Sequence, residues 1–327
     1  MLTPLVVSRQ SISNVIKCED GYINGSTVRG AILTKCFRSH QEMVKDEIEN
    51  PKLIFHPLWP SNNNILFKPA HIFIYKCKVC GHKKDYLHDL INDNLELRRI
   101  PPRICEQMHV GAMKSLHGEL LSESLDSFEP SFTIVDSVGM SKMFRCSEIG
   151  MLYSYVCLAP GSTFEGVIVD LSSTKLEQLG LDSEFEVYLG RGASRGLGIT
   201  KVVIEEVPHY IKIVSERFEQ SMERTKPYVV LKSLSPTLLS KWLQALETVP
   251  HLHFERTFIA GVTTFSGFSL LTNRPKASVR CVKPGSLVFY NYDGGDYSAL
   301  STALSELHLK GVEPFNCLGM NILEVIG

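Results

Sequence analysis

The fold is decided by the glycine-rich stretch Gly190-Arg191-Gly192-Ala193-Ser194-Arg195-Gly196-Leu197-Gly198. Its glycines let the backbone approach a ligand closely, and its two arginines supply positive charge and planar hydrogen-bond donors. Residues 185–189 before it and the β-branched residues 199–204 after it are both typical of strands. The stretch therefore joins strand to strand, either as a loop that holds a phosphodiester backbone or simply as a glycine-shaped hairpin.

Two common phosphate-binding motifs do not match this loop. A Rossmann fingerprint would require glycine where this sequence has Arg195, and it would open a helix instead of a strand. A Walker A loop would require Lys-Ser or Lys-Thr after Gly196, where Leu197 stands. The loop is therefore not predicted to bind a dinucleotide or a nucleoside triphosphate in either of these ways.

The composition predicts a globular, cytoplasmic protein. The 327 residues suggest about two domains, and a hydrophobic content of 44% is sufficient for packed cores. We find neither a charged-then-apolar leader nor an apolar run of roughly 20 residues, so a signal peptide or membrane span is not predicted. Nine scattered cysteines favour reduced thiols over disulfides. Because 34 Lys and Arg face 35 Asp and Glu, any nucleic-acid site must be a local basic surface.

The chain is predicted to be an α+β protein made of two similar halves, each ending in a helix, a glycine loop and a strand. The first half should span residues 1–207, with a large proline-punctuated insertion at about 47–126, and the second should span 208–327. Residues around Glu223 and Arg224 are assigned to a linker. Other predicted strands are 2–7, 152–158, 163–171, 228–234, 257–264, 277–282, 286–292 and 320–326, and predicted helices are 173–179, 236–246 and 298–309.

A second phosphate-binding feature is predicted near the N-terminus. In the stretch Tyr22-Ile23-Asn24-Gly25-Ser26-Thr27-Val28-Arg29, Gly25-Ser26 is typical of a turn that caps a helix. A helix beginning near Ser26 would direct its free N–H groups toward the preceding loop, with Arg29 one turn further on. Such a helix end suits a phosphate.

The order of these motifs resembles the RAMP superfamily (repeat-associated mysterious proteins) of CRISPR-associated proteins. Its ferredoxin-like, RRM-related domains end in a glycine-rich loop of this kind before the last strand. Further similar stretches are 22–31, 150–153 with 161–168, and 266–268 with 275–276 and 282–290. The second glycine loop, 311–319, departs from the pattern because it lacks arginine, which leaves packing against protein instead of RNA open.

The resemblance implies two ferredoxin-like (RRM-like) domains in a non-catalytic subunit of a type III effector complex, with type III-D the best match. Such a subunit clamps the 5′ handle of the guide RNA in antiviral defence. Its implied partners are the guide RNA, other RAMP subunits and the large signalling subunit, with target RNA contacted indirectly. The implied RNA-binding residues are Tyr22, Gly25, Ser26, Arg29, Gly190, Arg191, Gly192, Ser194, Arg195, Gly196 and Gly198. Tyr22 and Phe164 are candidates to stack on bases, although aromatics beside strands are more often core residues.

A guide-processing endoribonuclease of the same superfamily is the alternative. Such enzymes also have two ferredoxin-like halves and a glycine loop, and they typically use a histidine as general acid or base. His40 would take that role here, although a histidine near a helix C-terminus also complements the helix dipole without any chemistry. A backbone RAMP subunit with a target-cleaving aspartate is a third possibility, but those proteins usually have a single domain.

The sequence also contains half of a zinc site, Cys77-Lys78-Val79-Cys80-Gly81. Two thiolates separated by two residues can bind one metal ion, and Gly81 permits the tight turn. A structural zinc needs two further ligands, for which Cys36, His40, His56, His82 and Cys105 are candidates, with Cys36 placed beside Cys77 and Cys80. Unpaired, partly buried thiols are the alternative. A zinc ion here would stabilise the fold of the insertion and would not take part in catalysis.

Overall fold

The computed structural model of the protein describes residues 1–7, 11–12, 15–17, 21–97, 100, 104–111, 113–141, 143–269, 274–275 and 277–327. The chain forms two compact units. Unit 1 comprises Met1–Leu66, Glu129–Glu206 and Ser266–Ala277, and unit 2 comprises Phe67–Phe128, Val207–Phe265 and Ser278–Gly327.

The elements are numbered in chain order. The helices are α1 (Gly25–Phe37), α2 (Gln41–Glu49), α3 (Leu87–Asn92), α4 (Lys175–Gln178), α5 (Tyr210–Thr225), α6 (Leu239–Leu246) and α7 (Tyr297–Lys310). The first strands are β1 (Ser11–Ile12), β2 (Val15–Lys17), β3 (Leu53–Phe55), β4 (Trp59–Asn62), β5 (Ile65–Leu66), β6 (Lys68–Pro69), β7 (Ile74–Cys77), β8 (Lys83–Asp85), β9 (Met113–Ser115), β10 (Leu120–Leu121), β11 (Ser127–Phe128) and β12 (Phe132–Met140). The remaining strands are β13 (Ser147–Leu158), β14 (Thr163–Glu165), β15 (Ile168–Asp170), β16 (Glu184–Tyr188), β17 (Ile199–Val203), β18 (Tyr228–Ser233), β19 (Leu252–Phe258), β20 (Val262–Phe265), β21 (Phe268–Ser269), β22 (Arg274–Pro275), β23 (Val279–Val282), β24 (Leu287–Tyr292) and β25 (Leu323–Ile326).

Unit 1 is built from small sheets around one apolar core. The core lies beneath α1 and collects Leu5, Ile32, Leu158 and Val187, which come from four separate segments of the chain. The sheet of order β1-β2-β13-β12 carries a long antiparallel hairpin, β12–β13, and the hairpin β16–β17 flanks the glycine-rich loop. The predicted strand 163–171 is divided into β14, which pairs with β4, and β15, which pairs with β3.

Unit 2 is built on one antiparallel sheet of order β19-β24-β18-β25. Along the chain, strands and helices follow in the order β18, α6, β19, β24, α7 and β25, with β20 and β23 inserted between β19 and β24. This strand-helix-strand-strand-helix-strand order is the one that ferredoxin-like domains have. The described strands of unit 1 do not repeat that order. The predicted mixed α and β class is confirmed.

The two faces of the unit 2 sheet are covered by different parts of the chain. Val229 and Leu231 point toward α5 and α7, whereas Val230 and Phe289 point to the opposite face. That face is apolar and needs cover, which Phe73, residues 86–95 and Ile100 supply. The division differs from the predicted insertion at 47–126 in the first domain: residues up to 66 belong to unit 1, and 67–128 pack in unit 2.

Helix α5 corrects the predicted linker around Glu223 and Arg224, since both residues lie within its 16 residues. Its buried residues Val214, Phe218 and Met222 are spaced four apart and form one apolar stripe. The predicted strand 2–7 forms only two isolated bridges, from Leu5 and Val6. In the described part of the chain, no helix has the length and apolar character needed to cross a bilayer.

We predict that Phe218→Ala lowers the free energy of unfolding by about 3–5 kcal/mol, because it opens a cavity in the core of unit 2. The Phe218 side chain is 1% exposed. Chemical denaturation of the full chain followed by circular dichroism measures the change. The control is Gln220→Ala on the exposed side of the same helix, expected within about 0.5 kcal/mol of the parent. Equal effects of the two substitutions would contradict the packing of α5.

Candidate nucleic-acid interface and metal centre

The glycine-rich loop between β16 and β17 is shaped by contacts that only glycine allows. Gly190 and Gly198 have φ angles of 69° and 78°, in the left-handed region. A Cβ atom would lie 2.1 Å from the carbonyl oxygen of Val6 at Gly190, and 2.0 Å from that of Leu189 at Gly198. Any side chain at either position would therefore push the loop away from the backbone on which it rests.

Backbone hydrogen bonds fix the loop to the N-terminal segment of unit 1. The Arg191 amide donates to the carbonyl oxygen of Val6 at 3.0 Å, and the Gly198 amide donates to that of Pro4 at 2.8 Å. A single turn of 3-10 helix, Ala193–Arg195, forms the middle of the loop. Because both ends and the middle are hydrogen-bonded, the loop presents its side chains from a fixed backbone.

Arg195 is held over the aromatic side chains of β13. Its guanidinium carbon lies 5.0 Å from the ring centre of Tyr153 and 5.6 Å from that of Tyr155, within cation–π range. The guanidinium also donates a hydrogen bond to the Tyr155 hydroxyl. Tyr155 is buried and Arg195 is exposed, so the arginine is positioned from below while remaining accessible to solvent.

The loop forms a local basic surface on a chain whose net charge is −1. Arg191, Ser194 and Arg195 are exposed, and neither arginine forms an ion pair with any residue that the structure describes. A Cβ atom at Gly196 would meet nothing within 4 Å, so the space above that residue is open. The predicted residues Gly190, Arg191, Gly192, Ser194, Arg195, Gly196 and Gly198 thus belong to one loop, which is exposed except at Gly192, half-buried, and Gly198, buried.

The N-terminal feature is arranged differently from the prediction. Helix α1 begins at Gly25, one residue from the predicted start, but Arg29 points into unit 1. Its guanidinium donates to the carbonyl oxygen of Glu47 at 2.7 Å and to the Glu47 carboxylate at 3.1 Å, and the Glu47 side chain is completely buried. The charge of Arg29 is therefore neutralised inside the domain, and a phosphate contact would require this buried ion pair to open.

The two aromatic candidates also serve the core. Tyr22 is buried, with its ring centre 4.5 Å from that of Trp59. Phe164 is half-buried against the core of unit 1. Of the first-turn residues, Gly25 is buried and Ser26 is half-buried. The sequence pattern does not show whether these side chains point into the core or toward solvent, because both orientations occur in helices and strands.

His40 lies between α1 and α2 and is half-buried. Its Nδ1 atom lies 2.8 Å from the Ser39 hydroxyl. The ring packs on Gly180, where a Cβ atom would be only 2.6 Å from the His40 Cε1 atom. This packing gives His40 a structural role that needs no chemistry, and its catalytic role stays a prediction.

A second cluster, in unit 2, has the donor set of a metal centre. One ligand atom from each of Cys77, Cys80, Cys105 and His109 can be chosen so that all four lie within 4.8 Å of one another. The His109 Nδ1 atom is 3.3 Å from the Cys105 sulfur and 3.9 Å from the Cys77 sulfur. Three thiols and one imidazole in this arrangement suit a tetrahedral zinc site.

Local backbone geometry prepares Cys77 to act as a thiolate. Hydrogen bonds from the backbone amides of Cys80 and, more weakly, Val79 outweigh burial and lower the pKa of the Cys77 thiol to about 6. Gly81, with φ of 75°, turns the chain back so that the Gly81 amide donates to the Cys77 carbonyl at 3.0 Å. The thiolate form is the form that binds metal ions.

The cluster differs from the predicted ligand set of Cys36, Cys77 and Cys80 at one member and adds a fourth. Cys77 and Cys80 belong to the cluster, and Cys105 was among the candidates, but Cys36 is buried in the core of unit 1. The fourth member, His109, was missed. The sequence does carry a signal for it, because Cys105 and His109 are separated by three residues and form a second two-ligand half.

Comparison with known proteins gives a match only at the level of structure. The sequence matches no protein-family profile and no curated protein. The fold is similar to a chain of the type III-B Cmr-beta complex bound to cognate target RNA and AMPPnP, with a TM-score of 0.52 and 16% identity over 88% of this chain and 84% of that chain. A chain of the Csm3–Csm4 subcomplex of the type III-A CRISPR-Cas interference complex gives a TM-score of 0.38 and 14% identity over 84% of this chain and 88% of that chain.

A Cas6 product complex gives a lower TM-score of 0.27, with 16% identity over 52% of this chain and 81% of that chain. The Cmr-beta likeness extends over most of both chains and shows a shared fold. At 16% identity this likeness shows the fold alone, and the RAMP resemblance that the sequence indicates stays a prediction.

Proposed function

We propose that this protein is a non-catalytic, RNA-binding subunit of a type III CRISPR effector complex that holds the 5′ handle of the guide RNA. The observation that carries the proposal is the fixed basic loop of residues 190–198, with Arg195 positioned over Tyr153 and Tyr155. The fold adds support, since the similar Cmr-beta chain comes from a complex bound to cognate target RNA.

The loop offers the contacts that a single-stranded RNA backbone requires. The guanidinium of Arg191 can donate two hydrogen bonds to a phosphate, and so can that of Arg195. The Ser194 hydroxyl can donate one more. The open space above Gly196 allows the sugar-phosphate chain to approach closely. A base could stack on the plane of the Arg195 guanidinium, whose other face lies on Tyr153. Such contacts bind RNA without cutting it.

The proposed partners follow from the same role. The subunit would contact other RAMP subunits and the large signalling subunit of the effector complex, and it would contact target RNA only indirectly. We expect the subunit to act in the cytoplasm. The second glycine loop, which has Phe315 and no arginine, suits a protein contact better than an RNA contact.

We further propose that Cys77, Cys80, Cys105 and His109 hold a structural zinc ion. The ion would supply a cross-link between the segments 77–80 and 105–109, which share no backbone hydrogen bond in the described part of the chain. Three thiolates and a neutral imidazole leave no open coordination position on a tetrahedral ion, so the site would stabilise unit 2 and would not activate water.

The two loop arginines should contribute to RNA affinity. We expect Arg191→Ala combined with Arg195→Ala to weaken binding of a labelled repeat-containing RNA by about tenfold or more at low salt, because two phosphate contacts are lost. The slope of log affinity against log salt should become shallower by about 1.4, since each contact to single-stranded RNA contributes about 0.7. Fluorescence anisotropy at several salt concentrations measures both quantities.

The matched control is Lys212→Ala combined with Lys241→Ala, which removes the same charge from exposed helix positions of unit 2. It should leave affinity within about twofold. Equal losses in the two double variants would show a general charge effect and no loop site. The RNA recovered from every sample should be intact, whereas cleavage at one position that disappears in His40→Ala would assign the nuclease function instead.

The Cys3His cluster should hold a zinc ion in the purified protein. The purified protein should contain one zinc ion per chain by elemental analysis, and a strong chelator should remove it and lower the melting temperature, because metal binding stabilises the folded state. His109→Ala should lose the zinc. Cys146→Ser, at an exposed cysteine outside the cluster, should keep it. A protein that contains no zinc and melts at the same temperature with and without chelator would contradict the site.

A further inference from the structure

The long hairpin β12–β13 of unit 1 has two chemically different faces. On one face, Val135 and Tyr153 pack with Tyr155 and Leu197 beneath the glycine-rich loop. On the other face, β12 exposes large apolar side chains at alternate positions on either side of Asp136. These are Phe132 (48% exposed), Ile134 (66%), Val138 (45%) and Met140 (56%), and we refer to them as the β12 apolar row.

The partner strand continues this apolar surface. Val138 lies opposite Leu152, which is 61% exposed, and Ile134 lies opposite Val156. The five exposed apolar members lie in two groups, Phe132 with Ile134 and Val138 with Met140 and Leu152, separated by Asp136 and its partner Ser154. Exposed apolar side chains grouped in this way are typical of a surface that another protein contacts.

Strand β12 is also an open edge. Among the residues that the structure describes, it pairs only with β13, and the pairing is regular from Phe132 to Val138 before the register shifts. The strand contains neither lysine nor proline, which commonly protect edges, and its one charge is Asp136. A long apolar edge without such protection is a template on which another strand can pair.

The chemistry of this edge selects a protein over RNA. The described side chains of the row carry no cation, and Asp136, which accepts a hydrogen bond from Ser154 at 2.5 Å, would repel phosphates. Cations lie on the opposite face, where Arg195 packs on the tyrosines. The hairpin can therefore bind a polyanion at Arg195 on one face and an apolar protein strand at the edge of β12.

We propose that a β-strand of a neighbouring protein subunit adds to the free edge of β12 and extends the β12 apolar row with its own alternate apolar side chains. This inference rests on the proposed function, which places the chain in a multi-subunit complex. The added strand should have apolar side chains at alternate positions and a hydroxyl or cationic group opposite Asp136. Its backbone would pair with the outward N–H and C=O groups of residues 132–138.

The experiment is hydrogen–deuterium exchange on the chain alone, with guide RNA, and within the complex formed by co-expression with the other subunits of its effector. We expect protection at alternate amides of residues 132–138 only in the complex, because an added strand bonds every second residue. Ile134→Lys should weaken retention of the neighbouring subunit by about tenfold or more while leaving guide RNA affinity of the isolated chain within about twofold. The matched control is Ile213→Lys, at a residue 53% exposed on α5, which should retain the neighbour.

Three other outcomes would contradict the strand addition. Exchange in 132–138 that is equally fast in the chain and in the assembled complex would overturn the strand addition and leave the proposed function intact. Protection by guide RNA alone would make RNA the occupant of this edge. Failure of the wild-type chain to join any complex, with no retained RNA, would overturn the proposed function and this inference together.

Discussion

The close approach of two backbone segments is the constraint on which the rest of this surface depends. Gly190 and Gly198 bring the loop against the carbonyl oxygens of Val6 and Leu189 at distances that no Cβ atom could share. That contact fixes the loop to residues 4–6, which bridge in turn to Leu158 at the end of β13. The position of Arg195 over the β13 tyrosines follows from this anchoring, since an arginine on a free loop would sample many positions at an entropic cost on binding.

The same anchoring gives the β12–β13 hairpin two roles. One face of the hairpin is the floor for Arg195, and the opposite face carries exposed apolar side chains. A polyanion needs a cationic surface, whereas an apolar strand needs an apolar one. The hairpin has both because side chains alternate between its two faces. In unit 2 the Cys3His cluster joins Cys77 and Cys80 to Cys105 and His109, and the proposed zinc ion would cross-link these two short segments.

Much of this could be predicted from local sequence pattern, and the failures have physical causes. The glycine loop and the strands on both sides of it follow from glycine spacing and β-branched runs, and Cys77 and Cys80 follow from their spacing. Arg29 was assigned to the surface because nothing in the sequence shows that Glu47, 18 residues later, is buried beside it. Helix α5 was missed although Val214, Phe218 and Met222 repeat every four residues, since its charged remainder resembled a linker. The packing of residues 67–128 in unit 2 depends on tertiary contacts that no local pattern reports.

The most direct test of the central claim is to place 4-thiouridine in the 5′ handle of the guide RNA, assemble the complex, irradiate it and identify the crosslinked peptide by mass spectrometry. The account predicts crosslinks within residues 190–198 or at Tyr153, lost when Arg191 and Arg195 are both replaced by alanine. Crosslinks confined to the segment around His40, or to unit 2 alone, would contradict the assignment of the glycine loop as the site that holds the guide RNA.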